Sequence, residues 1–240
     1  MSAYLTRIVV ALLLTHIAAF AGAAAAPSSS NEEALVRVSP RPAVLVVLPP
    51  LAQFPEFTDG QDAVEEELIG LLVGAGYKVR RLVRSEFITA LTEEIAAVGG
   101  IYDPVTGQQS PARHDEAFGR LTRRLVDENE AAMVLSSRLV LRTATVRGDA
   151  AEWDGQVRMR RTTQGIDHTM VWSGTTKGLS LELTGFRSNG ERVFKTYGGL
   201  VLPYRLDMAQ SKLELRRSFF PDRSEVVEGS LVALKPLLRD

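Results

Sequence analysis

Four side chains of this sequence could support hydrolytic chemistry if the fold brought them together. Asp167 and His168 are a carboxylate and an imidazole, which could act as an orienting acid and a general base. Ser173 offers a hydroxyl nucleophile, and Asp103 is a further acid. A catalytic histidine needs its partners within hydrogen-bond reach, and neighbours on a strand point to opposite faces. The segment "TTQGIDHTM" is typical of a turn, which favours a solvated loop at His168.

Established catalytic and binding motifs are incomplete in the chain. There is no G-x-S-x-G nucleophile elbow, and in "WSGTTKG" Lys177 follows Ser173 at four residues rather than the three of an S-x-x-K pair. The Walker spacing is absent from "SGTTKG", and no His, Asp and Glu cluster indicates a metal site. The chain has no cysteine, which excludes disulfides, thiolate ligands and a cysteine nucleophile. We therefore expect no cofactor and no metal.

Positive charge is concentrated on segments with the alternation of strands. A basic sheet face with aromatic anchors suits a protein partner or an anionic envelope surface. The alternatives are a solvated face, an edge strand protected by charge and, for the tryptophans, packing in the core or at its rim. We predict an interaction surface that also includes the loop Gly99–Arg113. Its members are Arg138, Arg142, Arg158, Arg160, Arg161, Trp153 and Trp172.

The first residues have the pattern of a secretory signal peptide. Ile8–Phe20 is an apolar run too short to span a bilayer, and the small residues "AGAAAA" follow it. We expect residues 1–25 to be a cleaved signal peptide and residues 26–42 a flexible leader, with an uncleaved anchor as the alternative. The mature protein would then be periplasmic or secreted, without a transmembrane segment.

The remaining chain, residues 43–240, has the length of a single domain that can bury a good core. Its charges are nearly balanced, with 28 Lys and Arg against 29 Asp and Glu over the whole sequence. This balance lacks the basic footprint of a nucleic-acid-binding protein, and so we expect no nucleic-acid partner.

The apolar run Ala43–Leu48 predicts a strand buried on both faces, which Pro49 must end. Apolar residues from Val64 to Ala75 recur at helical spacing, and Asp59 or Asp62 could cap that helix. "YKVRRLV" then predicts a second strand. Strand, helix and strand with short links indicate a right-handed βαβ unit.

Two more helices follow, one capped by Ser85 and one over Asp115–Glu130, and the period then changes to two. Asn189-Gly190 predicts a type I′ hairpin turn, which would place Thr184 opposite Lys195, Glu182 opposite Tyr197 and Leu179 opposite Leu200. Pro236 should kink or end a final helix. We predict an α/β fold: a βαβ start, a mixed sheet with helices packed on it, and a C-terminal helix.

Several segments resemble the small exported α/β envelope domains of the TolB N-terminal, CsgG and LpoB type. They are "VLVVLPP", "LLVGAGYKVRRL", "RLVDENEAAMVLSSRLV" and "LELTGFRSNGERVFKTYGGLVL". The resemblance implies partner binding or assembly in the envelope rather than catalysis. The chain departs from many such domains because it lacks a lipobox cysteine.

Three hypotheses of function follow. The first is an exported, soluble envelope protein that acts as a protein-binding or assembly module, with an envelope protein or a second copy as its partner. The second is a small periplasmic or secreted hydrolase of esters or glycans that uses Asp167, His168, Ser173 and Asp103. The third is a carrier of lipid or another small ligand, which requires a sizeable apolar cavity.

Overall fold

The structure, a computed structural model, describes residues 43–162, 165–166, 173–207, 212–220 and 223–238. The expected signal peptide and leader lie outside these ranges, as do Asp167, His168 and Trp172.

The chain folds into a mixed α/β structure, as predicted. Its strands are β1 (Val44–Val47), β2 (Leu51–Ala52), β3 (Lys78–Arg81), β4 (Met133–Arg147), β5 (Ala150–Trp153), β6 (Gln156–Met159), β7 (Arg161–Thr162), β8 (Gly165–Ile166), β9 (Ser173–Phe186), β10 (Arg192–Val201), β11 (Tyr204–Asp207) and β12 (Lys212–Leu215). Its helices are α1 (Gln61–Gly74), α2 (Arg84–Ala97), α3 (Pro111–Asn129), α4 (Arg223–Ala233) and α5 (Lys235–Leu238), with a 3₁₀ helix at Pro55–Gly60. The main sheet has the order β10-β9-β4-β1-β3, and β12-β11-β7-β8 form a second sheet.

The predicted βαβ unit is confirmed. β1 pairs in parallel with β3 on one side and with β4 on the other. Leu45, Val46 and Val47 are buried, as expected of a strand covered on both faces, and the strand ends before Pro49.

The helix starts differ from those predicted. The N-cap of α1 is Gly60, because a 3₁₀ helix leads directly into α1 and takes the place of an aspartate cap. Val83 is the N-cap of α2, one residue before the helix starts at Arg84, so Ser85 lies inside the first turn. Ser110 caps α3 and accepts a hydrogen bond from the Arg113 amide at 3.5 Å. Proline is favoured in the first turn of a helix, and the helix therefore starts at Pro111 rather than at the predicted Asp115.

The β9–β10 hairpin has the predicted register over most of its length. Thr184 pairs with Lys195, Leu183 with Thr196 and Glu182 with Tyr197. A bulge between Gly199 and Val201 places Val201, rather than Leu200, opposite Leu179. The predicted type I′ turn is wrong: Gly190 has a positive φ of 79°, but its amide bonds to the Arg187 carbonyl at 2.9 Å, so the turn is centred on Ser188 and Asn189. A bulge between Arg192 and Phe194 then restores the register.

Helices cover both faces of the main sheet. On one face α1 and α4 pack over a cluster that includes Leu68, Leu72, Leu181 and Leu183. On the other face α2 and α3 cover a second cluster, which includes Val46, Phe87, Leu121, Leu125 and Val134. The apolar periodicity of these helices explains why each buries one side.

The two C-terminal helices contact the first βαβ unit. α4 ends at Ala233 and α5 resumes at Lys235, so the helix breaks just before Pro236, as predicted. The Tyr77 hydroxyl donates to the Leu237 carbonyl at 2.8 Å across 160 residues of chain. Gly229 of α4 lies directly against Gly198 and Gly199 of β10, so the helix backbone rests on the strand backbone.

The β5–β6 hairpin curls over the sheet and covers the free edge of β10; we call it the β5–β6 arch (Ala150–Met159). The Gly199 amide donates to the Asp154 carbonyl at 3.1 Å, and Arg158 Nε donates to the Leu200 carbonyl at 3.0 Å. The enclosed space is filled by a third cluster of buried apolar side chains. Its members are Ala144, Val146, Ala151, Trp153 and Leu202.

Candidate functional site

Five polar side chains share one face of the main sheet; we call them the ion-paired face. They come from three strands: Arg138 and Arg142 from β4, Glu182 from β9, and Lys195 and Tyr197 from β10. Directly paired residues in an antiparallel sheet point to the same side. Because Arg138 pairs with Glu182 and Glu182 pairs with Tyr197, the register itself gathers these groups.

The ion-paired face is built around one carboxylate and one ring. Glu182 lies 3.5 Å from Arg138 and 2.8 Å from Lys195, and only 13% of its side chain is exposed. The Arg142 guanidinium lies 4.1 Å from the centroid of the Tyr197 ring, and Lys195 Nζ lies 5.5 Å from the same centroid. Cations at these distances are attracted to the face of an aromatic ring. The ring and the carboxylate therefore hold three cations in fixed positions.

A turn of the β5–β6 arch adds a second carboxylate. Asp154 and Gly155 have φ values of 42° and 75°, the pair of positive angles that a type I′ turn requires. The turn directs the Asp154 carboxylate at Arg142, with Nε–Oδ2 and Nη2–Oδ1 distances of 3.2 and 3.3 Å. The same carboxylate accepts a hydrogen bond from Ser180 Oγ at 2.7 Å. Arg142 is thereby fixed between a carboxylate and the Tyr197 ring.

The ion-paired face occupies the middle of the sheet surface. Towards one end of β9, Phe186 packs against Phe118 of α3 with ring centroids 5.1 Å apart. Towards the other end, Ser180 accepts a hydrogen bond from Trp153 Nε1 of the arch at 3.0 Å. The face therefore lies between α3 and the arch, both of which are packed on the sheet.

The predicted interaction residues have different locations in the structure. Arg138 and Arg142 lie together on the ion-paired face. Arg158 instead joins the arch to α4: Nη1 lies 2.6 Å from Glu228 Oε2, and Nη2 donates to the Glu225 carbonyl at 3.4 Å. Arg158 therefore fastens structural elements together and is not part of the same surface.

The tryptophan at the start of the arch is not an exposed anchor. Trp153 is 4% exposed and belongs to the core cluster beneath the arch, so its role is packing. Arg160 is half-buried, and its amide donates to the Asp149 carbonyl at 2.8 Å. Arg161 is in β7, and its side chain lies outside what the structure describes, as does Trp172.

The sequence patterns locate members of the ion-paired face that the predicted interaction residues did not include. The hairpin register already placed Glu182 opposite Tyr197 and diagonal to Lys195, although Glu182 and Lys195 were not joined to Arg138 and Arg142. Asp154 was missed. The Asp-Gly dipeptide at 154–155 is a strong turn pattern, and it would have placed this carboxylate at the tip of a hairpin.

Two of the candidate hydrolytic residues are described by the structure, and they lie in different elements. Ser173 is exposed at the start of β9, opposite Arg147, whereas Asp103 lies in the loop before α3. Asp103 Oδ1 accepts hydrogen bonds from the amides of Val105 and Thr106, both at 2.8 Å. Its carboxylate therefore stabilises its own loop. The other two members, Asp167 and His168, fall outside the described residues.

The Asp103 loop gives a titration prediction. The amide hydrogen bonds from Thr106 and Val105 favour the ionised carboxylate and lower the pKa of Asp103. Because the folded-state pKa is lowered, the stabilisation of the loop is present above the ordinary aspartate pKa and is lost as pH falls through the lowered value. We expect the carboxyl carbon of Asp103, followed by NMR, to titrate below the ordinary range of an aspartate. Asp103→Asn identifies the resonance by its loss, and a midpoint in or above the ordinary range would contradict the prediction.

Small-molecule binding needs an enclosed space, and the described residues enclose a small cavity between β6, β11 and α4. It has a volume of about 10 Å³ and is lined by Arg158, Met159, Leu202, Tyr204, Arg216 and Glu225. A volume of this size holds at most about one water molecule. Burial and, secondarily, Glu56 raise the pKa of Tyr204, which keeps its phenol neutral beside the cavity.

The described ranges lack two further features. Within those residues, no three His, Asp or Glu side chains come together as a metal site would require. Over the same part of the chain, no helix combines the length and the apolar character needed to cross a membrane.

Comparison with known proteins places the chain in no family. No family model matches it, and no curated protein matches it. Two similar solved structures are PelC dodecamers from Paraburkholderia phytofirmans, one of them a single-substitution variant. The variant is 16% identical, with a TM-score of 0.38 over 82% of this chain and 90% of that chain. The other is 14% identical, with a TM-score of 0.40 over 82% and 89%. TM-scores of this size carry no argument about function or assembly, and the resemblance to the TolB N-terminal, CsgG and LpoB type stays a prediction.

Proposed function

We propose that this chain is an exported, non-catalytic binding module of the cell envelope, which contacts a protein partner through the ion-paired face. The observation that supports the proposal is the arrangement of Arg138, Arg142, Glu182, Lys195 and Tyr197 on an open sheet surface between two packed elements. Export and the envelope location rest on the N-terminal sequence pattern, and the assembly role agrees with the resemblance to exported envelope domains.

The geometry favours a protein over a purely anionic partner. Arg138 and Lys195 are already paired with Glu182, and Arg142 is paired with Asp154. An anionic polymer or lipid headgroup would have to compete with these carboxylates for the same cations. A protein surface that carries both signs of charge could add to the existing pairs, and such complementarity gives specificity.

The rigidity of the ion-paired face also suits recognition. Association costs conformational freedom for every long side chain that must be ordered. Here the guanidinium of Arg142 is held by Tyr197 and Asp154 before a partner arrives. The Arg142 side chain has therefore already lost its conformational freedom in the folded protein, and binding does not have to remove it.

The alternatives receive less support from the described residues. A hydrolase would need Asp103 to reach substrate, and its carboxylate is bound to the amides of its own loop. A lipid carrier would need a cavity far larger than that beside Tyr204.

The test is crosslinking of the full chain with a C-terminal tag in intact source cells, followed by mass spectrometry of the captured proteins. We expect a reproducible envelope protein with the wild-type chain and about a ten-fold lower yield with the Arg138→Ala/Arg142→Ala double variant, because removal of hydrogen-bonded charges at a contact typically costs more than about 1.4 kcal/mol. Arg223→Ala is the matched control, since Arg223 forms an exposed pair with Glu66 elsewhere on the molecule.

Two results would count against the proposal. Equal capture by the double variant would remove the ion-paired face from the contact. Recovery of only the uncrosslinked chain from a well-expressed sample would remove the binding role. Circular dichroism of each variant checks the fold, which we expect to persist because Glu182 keeps its pair with Lys195 and Asp154 keeps its hydrogen bond from Ser180.

A further inference from the structure

We propose that β12 is a self-association edge, on which β12 of a second copy of this chain adds in antiparallel orientation to form a two-fold dimer. This inference names one partner for the binding module proposed above but uses a different surface. Either proposal can therefore fail while the other stands.

The edges of the two sheets are protected to different degrees. The outer strand β3 has exposed Lys78, Arg80 and Arg81, the charge pattern that prevents unwanted strand pairing. The edge of β10 is covered by the β5–β6 arch. By contrast, β12 has the sequence Lys-Leu-Glu-Leu and, within the described ranges, pairs only with β11.

The apolar side chains of β12 face solvent. Leu213 is 60% exposed and Leu215 is 39% exposed, and both point to the same side of the strand. Exposed leucines on an unpaired edge strand provide backbone donors and acceptors together with apolar surface. These are the two components of recognition by strand addition.

The charges of β12 are self-complementary in one register. If two copies of β12 pair antiparallel about Leu213, Lys212 of each copy lies opposite Glu214 of the other, and the two Leu213 side chains face each other on the opposite side of the sheet. Opposite charges directly across a strand pair are stabilising, and like charges are destabilising. The two-fold symmetry of the dimer forms the Lys212–Glu214 pair twice.

The neighbouring registers are unfavourable. Pairing about Glu214 would place the two Glu214 carboxylates directly opposite each other, and pairing about Lys212 would do the same with two ammonium groups. A shift by a single residue would place Leu213 opposite Glu214. Among pairings made within the strand residues Lys212–Leu215, only the register about Leu213 matches charge with opposite charge and leucine with leucine.

The charge order also continues across the joined sheet. Within one copy, Arg205 of β11 lies opposite Glu214 at 3.4 Å, and Asp207 lies opposite Lys212. In the dimer, the row across four strands would read Arg205, Glu214, then Lys212 and Asp207 of the second copy. Signs alternate along the whole row.

The test is sedimentation equilibrium of the purified full chain with two charge reversals, each measured alone and mixed. We expect the wild type to dimerise in a concentration-dependent manner. Lys212→Glu and Glu214→Lys should each raise the dimer Kd at least about ten-fold, because each places like charges opposite each other twice. An equimolar mixture of the two variants should recover dimers, since every cross-strand pair is then opposite in sign again.

Controls separate this contact from other effects. Lys78→Glu makes the same charge change on the β3 edge and should leave the dimer intact. Leu213→Ser removes apolar contact from an already exposed position, so it should weaken the dimer without lowering the melting temperature at concentrations where the chain is monomeric.

Each contrary result has a defined meaning. A wild type that stays monomeric at all concentrations overturns the proposal, and so do single variants that dimerise like the wild type. Failure of the mixture to recover dimers overturns the register. A dimer that persists in the Arg138→Ala/Arg142→Ala variant supports β12 as the contact, independently of what the ion-paired face binds.

Discussion

Replacing Gly198 with alanine should lower the free energy of unfolding by about 3 kcal/mol or more, at the upper end of what overpacking costs. A Cβ at this position would collide with the Gly229 carbonyl oxygen of α4 and lie 3.0 Å from the Ala233 amide nitrogen. These obstacles are backbone atoms, so no side-chain rotation relieves the contact. α4 must instead move away from β10, which loosens the core that both elements cover.

Urea unfolding of the purified chain measures this effect, and α1 provides the matched control. Gly70 lies within α1, where an added Cβ meets nothing within 4 Å. Gly70→Ala should therefore raise stability by about 0.4–1 kcal/mol, because alanine reduces the freedom of the unfolded chain. If Gly198→Ala unfolded within 0.5 kcal/mol of the wild type, close packing of α4 on β10 would not limit this position.

Trp153→Ala should destabilise the protein by about 3–5 kcal/mol, the usual cost of truncating a buried aromatic side chain to alanine. The indole fills the space where Gly178 and Gly199 have no side chain, and Nε1 donates to Ser180 Oγ at 3.0 Å. Removing the ring leaves a cavity under the β5–β6 arch, and Ser180 Oγ loses its donor while it keeps its own hydrogen bond to Asp154. The arch would then lose the contact that holds it over β9 and β10.

Two milder variants divide this loss into its parts. Trp153→Phe keeps an aromatic ring but removes the donor, and Ser180→Ala removes the acceptor but keeps the indole. Loss of one partner of a buried hydrogen bond costs about 1–3 kcal/mol, so both should fall between the wild type and Trp153→Ala. Thermal unfolding checks the order, and a Trp153→Ala variant as stable as Trp153→Phe would show that the ring volume is unimportant.

Local sequence patterns predicted the parts of the fold that depend on neighbours in the chain. Period-two alternation placed Arg138 and Arg142 on one face of β4, and the β9–β10 register placed Glu182 between Tyr197 and Lys195. The predicted turn of that hairpin was wrong, but the bulge between Arg192 and Phe194 compensates for a loop of a different type. A register can therefore be right when its turn is not.

The parts that could not be predicted depend on how distant segments meet. Arg158 has the same charge and the same alternation as Arg138, yet its strand belongs to the arch and directs it towards Glu228 of α4. Trp153 is buried for the same reason. Curling of β5 and β6 over the sheet is a tertiary event, and nothing in the local pattern of residues 150–159 specifies it.

The hydrogen bond between Tyr77 and Leu237 bears on when the chain can fold during synthesis. A chain is made from its N-terminus, and contacts between residues far apart in sequence form slowly because a long loop must close first. The first βαβ unit needs α4 and α5 to cover its core, and the Tyr77 hydroxyl reaches its acceptor only across 160 residues. A growing chain therefore stays open, with Leu68 and Leu72 uncovered, until residues 223–238 have left the ribosome. The core of the first βαβ unit is therefore closed only after residues 223–238 have been made.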